Sequence, residues 1–212
     1  MQNQKPRLRG HFHQASFFIA LGSCLMLLSE CDTSLKQTAI AVYSFGLLFL
    51  FGVSALYHRV QWQTSARLKM KRLDHSAIYL MIAGTFTPVA LLGLSGTSSS
   101  RLLISIWSVA LLGIVQSIFF VNVPKWISSI LYLIAGYLIL PYLSELGPAL
   151  GKPSIALLIA GGIAYTLGAV SYGLKRPVLK PSIFGYHEVF HVLVCVGALL
   201  HFILVLDLVR AN

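Results

Sequence analysis

The chain has 212 residues, of which 57% are hydrophobic and only 10% charged, whereas soluble domains carry about 25% charge. That balance excludes an ordinary soluble domain and places the protein among membrane proteins. The net charge of +10 sits in basic residues scattered between apolar runs and gathered into no stripe, so it marks membrane loops, and no nucleic-acid partner is expected.

A bilayer core needs about 20 mostly apolar residues per helix. In chain order the stretches that meet this are Phe12–Ser29, Thr38–His58, His75–Leu94, Leu102–Val121, Trp126–Leu143, Ile155–Gly173 and Tyr186–Leu206. The first follows Arg7 and Arg9 in the manner of a signal peptide, but no A-x-A cleavage pattern comes after it, so it is assigned as a span. Pro88 in the third stretch and Pro141 late in the fifth predict kinks, which neighbouring helices tolerate by re-satisfying the freed carbonyls. Ser95–Ser100 reads as a loop. Cys24, Cys31 and Cys195 show no paired spacing, which argues against a disulfide framework and against a cysteine metal site. The expected fold is an all-α membrane protein: a single seven-transmembrane helix bundle over residues 1–212, with a short basic tail at 1–11.

The basic residues give the orientation. One side holds Lys5, Arg7, Arg9, Arg59, Arg67, Lys69, Lys71, Arg72, Lys125, Lys175, Arg176 and Lys180; the other holds only Lys36, Arg101, Lys152 and Arg210. The N-terminus is therefore expected in the cytoplasm and the C-terminus outside. Glu30, Asp32, Glu145 and Asp207 fall on the outer side, which leaves Asp74 and Glu188 as the acids at the cytoplasmic helix mouths. An ionisable group kept so near a bilayer is a functional candidate.

Histidine placement sharpens this. His58 ends the second span at the cytoplasmic face, and His187 and His191 begin the seventh at the same face. His191 lies about 6 Å deeper than His187 on the same helix face. Ser54 is one turn before His58, at the depth of His191. Three imidazoles from two helices at one depth suit a tri-His zinc site with its fourth position open. His201 is about 15 Å further along the axis, too far to share the ion, and reads as a packed or hydrogen-bonded core histidine. His11 and His13 read as interfacial, and His75, directly after Asp74, as rotated away from the site. The stretch HEVFH at 187–191 also fits H-E-x-x-H, the zinc motif of metalloproteases. That chemistry needs a third ligand downstream, yet Val194 and Gly197 stand where Gly and His of the longer motif would fall.

The stretches SALYHR (Ser54–Arg59), LDHSAIYLMIAGTFTP (Leu73–Pro88) and GYHEVFH (Gly185–His191) resemble the three signature blocks of bacterial hemolysin III proteins. That is the prokaryotic branch of the progestin and adiponectin receptor superfamily. The resemblance covers about residues 38–208, and the N-terminal third departs from it. It implies a bacterial inner-membrane protein with zinc held near the cytoplasmic face by His58, His187 and His191. Ser54 matches the serine that supports that site, and Asp74 the aspartate that holds the water on the zinc. The implied partners are membrane lipids, with a ceramide-like or fatty-acyl substrate. The implied activity is metal-dependent hydrolysis of lipid amides or esters. The alternative is a non-catalytic zinc-stapled protein acting in lipid homeostasis, receptor-like sensing or cytolysis.

Overall fold

The computed structural model of the chain describes residues 6–211, so Lys5, counted above with the basic tail, lies outside the described residues. Among those residues the protein is helical, with one isolated bridge between Lys180 and Phe184 and no named strand. Helices α1 (His11–Ser29) and α2 (Ser34–Arg59) are joined by a short turn whose Thr33 side chain caps α2 by accepting the Lys36 N–H at 3.3 Å. Helix α3 (Thr64–Gly93) starts well before the predicted His75. The run Ala66–Arg72 is Ala, Arg, Leu, Lys, Met, Lys and Arg, all strong helix formers without a breaker, so the basic loop is itself helical.

The Ser95–Ser100 loop is also corrected: only Ser95 lies outside helix α4 (Gly96–Phe119). Ser99 Oγ donates to the Ala90 carbonyl at 2.7 Å and ties the first turn of α4 to the end of α3.

At Pro141 the α-helical bonding of the fifth span is interrupted by a tighter turn, while the backbone stays right-handed at Leu138, Ile139, Tyr142 and Leu143. Helix α5 (Lys125–Tyr137) stops four residues before it, because Pro141 has no N–H for the Tyr137 carbonyl. Pro141 then sits in a 3-10 turn, Leu140–Tyr142. Helix α6 (Leu143–Leu174) follows, broken at Gly151 (φ 72, ψ 166) between Pro148 and Pro153. A left-handed backbone there suits glycine alone among common residues. The chain has doubled back: Trp126 and Ser129 at the start of α5 lie against Gly173 near the end of α6, and Tyr137 Oη bonds Thr166 Oγ1 at 2.9 Å. Helix α7 (Tyr186–Ala211) packs on α6, α1 and α3.

Six stretches are long and apolar enough to cross a membrane: α1, α2, α3, α4, α7 and the broken run Lys125–Leu174. Large side chains such as Phe18, Ile104, Leu112 and Leu199 are at least 60% exposed on the outside of the bundle, which only an apolar solvent makes inexpensive. Helix α3 is the central helix, with 72% of its apolar window buried against 22% for α1. Small residues bring helices close to it and to α7. The Tyr79 ring fills the place where a Cβ on Gly113 of α4 would stand, and the His201 ring does the same at Gly161 of α6.

Candidate metal centre

The last turn of α2 and the first two turns of α7 meet at one end of the bundle. His58 Nε2 and His187 Nε2 are 3.3 Å apart, and ligand atoms of His58, His187 and His191 all lie within 4.8 Å of one another. Their ring centroids form a near-equilateral triangle with sides of 4.8, 5.0 and 4.8 Å. All three side chains are buried, and the outer Nδ1 atoms of His187 and His191 have no hydrogen-bond partner. Clustering buried imidazoles in this way is costly unless something accepts their lone pairs. Among the described residues this is the group that could hold a metal ion.

Asp74, on α3, brings its Oδ2 to 3.8 Å from His58 Nε2, with a side chain only 14% exposed. Ser54, one helical turn before His58 and buried, has its hydroxyl close enough to the Asp74 carboxylate to interact with it. The five residues singled out in the sequence thus converge from three helices. His75 faces Tyr132, with Nδ1 3.4 Å from its hydroxyl, and stays outside the triangle. His201 Nε2 donates to the Leu158 carbonyl of α6 at 3.1 Å, as a buried core histidine.

His13 is the residue that the sequence reading misplaced. It is not interfacial but 2% exposed, with its ring stacked on His191 at 4.0 Å between centroids and 9° between planes. The cause is Gly10, whose φ of 83° lets the chain pass so close to α2 that a Cβ there would stand 2.7 Å from His58 Cβ. The first turn of α1 is thereby tucked beneath the triangle. The usable signal was its level: His13 opens a span at the same end as His58, as His187 and His191 do. His11 is half-buried beside it, with Nδ1 unpartnered. Glu188, which the sequence offers as a partner for cytoplasmic arginines or as an orienter of a ligand, takes the first of these places. It is fully buried, accepts the Gly185 N–H at 2.8 Å and forms an ion pair with Arg9.

His187 and His191 of the triangle line an apolar cavity of about 300 Å³, whose walls also include Ser54, Asp74, Tyr132, Leu158 and His201. Between α5 and α6 the wall includes Tyr137, Ile163 and Leu167, each about half exposed on the outside of the bundle. The cavity therefore reaches the apolar surface sideways.

A family profile described as Haemolysin-III related matches residues 1–202, so the match includes α1, beyond the residues 38–208 on which the resemblance was drawn. The chain is 35% identical over 178 residues to Hemolysin-3 of Bacillus cereus, covering 84% of this chain and 78% of that one. It is 34% identical over 168 residues to the Hemolysin-3 homolog of Bacillus subtilis (strain 168), covering 79% and 76%. A more distant likeness, 27% over 186 residues and covering 86% and 74%, is to the monocyte to macrophage differentiation factor of Homo sapiens. With its apolar helices and this match over nearly its whole length, the chain belongs to the haemolysin-III-related family of integral membrane proteins.

Proposed function

We propose that the protein is a zinc-dependent hydrolase of lipid amides or esters in the bacterial inner membrane, with ceramide-like or fatty-acyl lipids as substrates. It crosses the membrane seven times, as one bundle, with the triangle at the cytoplasmic face. The observation that carries the reading is the 3.3 Å separation of His58 Nε2 and His187 Nε2 at the end of an apolar cavity. Two nitrogens on one tetrahedral zinc, each at 2.0–2.1 Å, stand about 3.4 Å apart. Three neutral imidazoles, with ligand atoms within 4.8 Å of one another, are a donor set that zinc accepts.

His58, His187 and His191 would hold the ion. When bound, it supplies a Lewis acid that activates water and polarises a carbonyl. The chain's own residues do the rest. Asp74 Oδ2 is the proton acceptor nearest the triangle, and the Ser54 hydroxyl orients that carboxylate. The apolar walls take the acyl chain, which enters from the bilayer between α5 and α6, and the triangle meets the polar bond at its head.

A second reading has its own support. Helices α2 and α7 do not pack along each other, since α1 and α3 lie between them. A metal shared by His58 and His187 would then be a staple between two helices that otherwise touch little, in a sensing, homeostatic or lytic protein. The name Hemolysin-3, borne by the Bacillus cereus relative, speaks for the lytic form. Purified protein in lipid vesicles separates the readings. The hydrolase releases fatty acid from ceramide or phospholipid, stops with a chelator and resumes with zinc. Zinc bound at one equivalent without any release would leave the staple.

A further inference from the structure

The segment Pro6–Gln14 touches the neighbourhood of every histidine in the triangle, although the H-x-x-x-H spacing gives it no part. Its backbone docks on the loop that leads into α7: the Arg7 N–H donates to the Ser182 carbonyl at 3.0 Å and the Leu8 N–H to that of Ile183 at 3.2 Å. The Phe12 ring meets Phe184 edge-on at 6.0 Å. On the other flank, Arg59 Nε donates to Gln14 Oε1 at 3.1 Å, next to His58.

Glu188 is the pivot of this arrangement. It follows His187 directly and is fully buried, a placement that costs a carboxylate dearly unless it is paired and hydrogen-bonded. Both conditions are met. Its Oε1 takes the Arg9 guanidinium, and its Oε2 takes the Gly185 N–H at 2.8 Å. Gly185 also accepts the Val189 N–H, so it is the N-cap of α7 and Glu188 stands three residues inside, in the position that reaches back to the cap. The carboxylate thus sets where α7 begins, and with it the depth and rotation of His187.

We propose that Arg9 and Glu188 are positioning residues for the metal site. Arg9 neutralises Glu188, Glu188 fixes the first turn of α7, and the same segment lays Gly10 against His58 and the His13 ring against His191. The N-terminal segment thereby closes the site from the aqueous side, and the ion leaves only when the segment lifts. This rests on reading the triangle as a metal site.

The test uses the full chain in detergent, loaded with zinc, and its cobalt(II) form. Zinc release to a chromogenic chelator is timed, and the cobalt absorption band reports ligand geometry. Arg9→Ala and Glu188→Gln should release zinc about ten-fold faster or more, the low end for residues that support metal ligands, and should shift the cobalt band. Arg9→Lys, which keeps the charge, should recover most of the difference. Arg7→Ala removes the same charge from an exposed position and should match wild type. Should Arg9→Ala fail to fold, the order wild type, Arg9→Lys, Arg9→Gln in rising release rate is the expected result. Wild-type protein that binds no divalent ion would overturn the metal reading and this one together. Wild-type protein that holds zinc, with all Arg9 and Glu188 variants releasing it at the same rate, or with Arg7→Ala as fast as Arg9→Ala, would overturn this one alone.

Discussion

His58 and Asp74 approach each other from α2 and α3, with 3.8 Å between Nε2 and Oδ2, and the proposed function gives them separable tasks. His58→Ala should reduce bound zinc well below one equivalent, since two imidazoles on one helix remain a weak chelate; elemental analysis of the purified variant checks this. Asp74→Asn should keep the zinc and lower hydrolysis by about 100-fold or more, the usual share of a positioned proton acceptor. If zinc falls as far in Asp74→Asn as in His58→Ala, the carboxylate is a ligand and its role as base is wrong. At this scale the sequence was informative where local geometry decides. His187 and His191 share a face because any α-helix puts i and i+4 together. For His13 only the level was legible, because its contact with His191 depends on how α1 packs on α7 and on the left-handed turn at Gly10. Neither fact is written in the residues around His13.

At the scale of elements, the apolar runs located the helices because a bilayer demands continuous apolar length. Their ends were less legible. The start of α3 was missed because charge suggested a loop, while propensity favoured helix. At Pro141 the missing N–H interrupts the α-helical bonding from four residues earlier, and Gly151 makes its break between the fifth and sixth apolar stretches, where the sequence leaves a gap. The glycines at helix crossings carry a prediction of their own. A Cβ at Gly113 would lie 2.3 Å from the Tyr79 ring, which is only 1% exposed and has nowhere to move. Gly113→Ala should therefore cost about 1–3 kcal/mol by overpacking, which lowers the unfolding midpoint in detergent by about 2–12 °C. Gly22 in α1 has open space at the same position, so Gly22→Ala should leave the midpoint unchanged or raise it. Equal midpoints for the two variants would show that α3 and α4 do not meet closely at Tyr79.

The proposed seven crossings turn on the run Lys125–Leu174, which is a single apolar stretch by length and composition. Its two ends lie side by side, with Trp126 against Gly173 and the Lys125 ammonium 2.9 Å from the Tyr186 hydroxyl at the start of α7. A run that returns to its starting level crosses the membrane an even number of times. Each arm is long enough to cross: Lys125–Leu150 spans about 39 Å and Pro153–Leu174 about 33 Å if helical throughout, against a core of about 30 Å. The turn between them sits beside the α1–α2 turn at the far end, where Glu145 and Pro148 share a hollow with Thr33 and Lys36. Two of the few bases at that end are paired locally, Lys36 with Asp32 at 2.8 Å and Arg210 with Glu30 at 2.9 Å. The Arg210 guanidinium holds the Glu30 carboxyl below the usual carboxylate range. Most of the chain's positive charge is left at the other end, around the triangle, and that end should face the cytoplasm. Reporters inserted at Asn122 and at Pro181 test both parts of the proposal. Seven crossings with a cytoplasmic N-terminus put the two reporters in the cytoplasm and a third, at the C-terminus, outside. A reporter inside at Asn122 and outside at Pro181 would reduce Lys125–Leu174 to one crossing. Both outside would invert the bundle and move the triangle to the opposite face of the membrane.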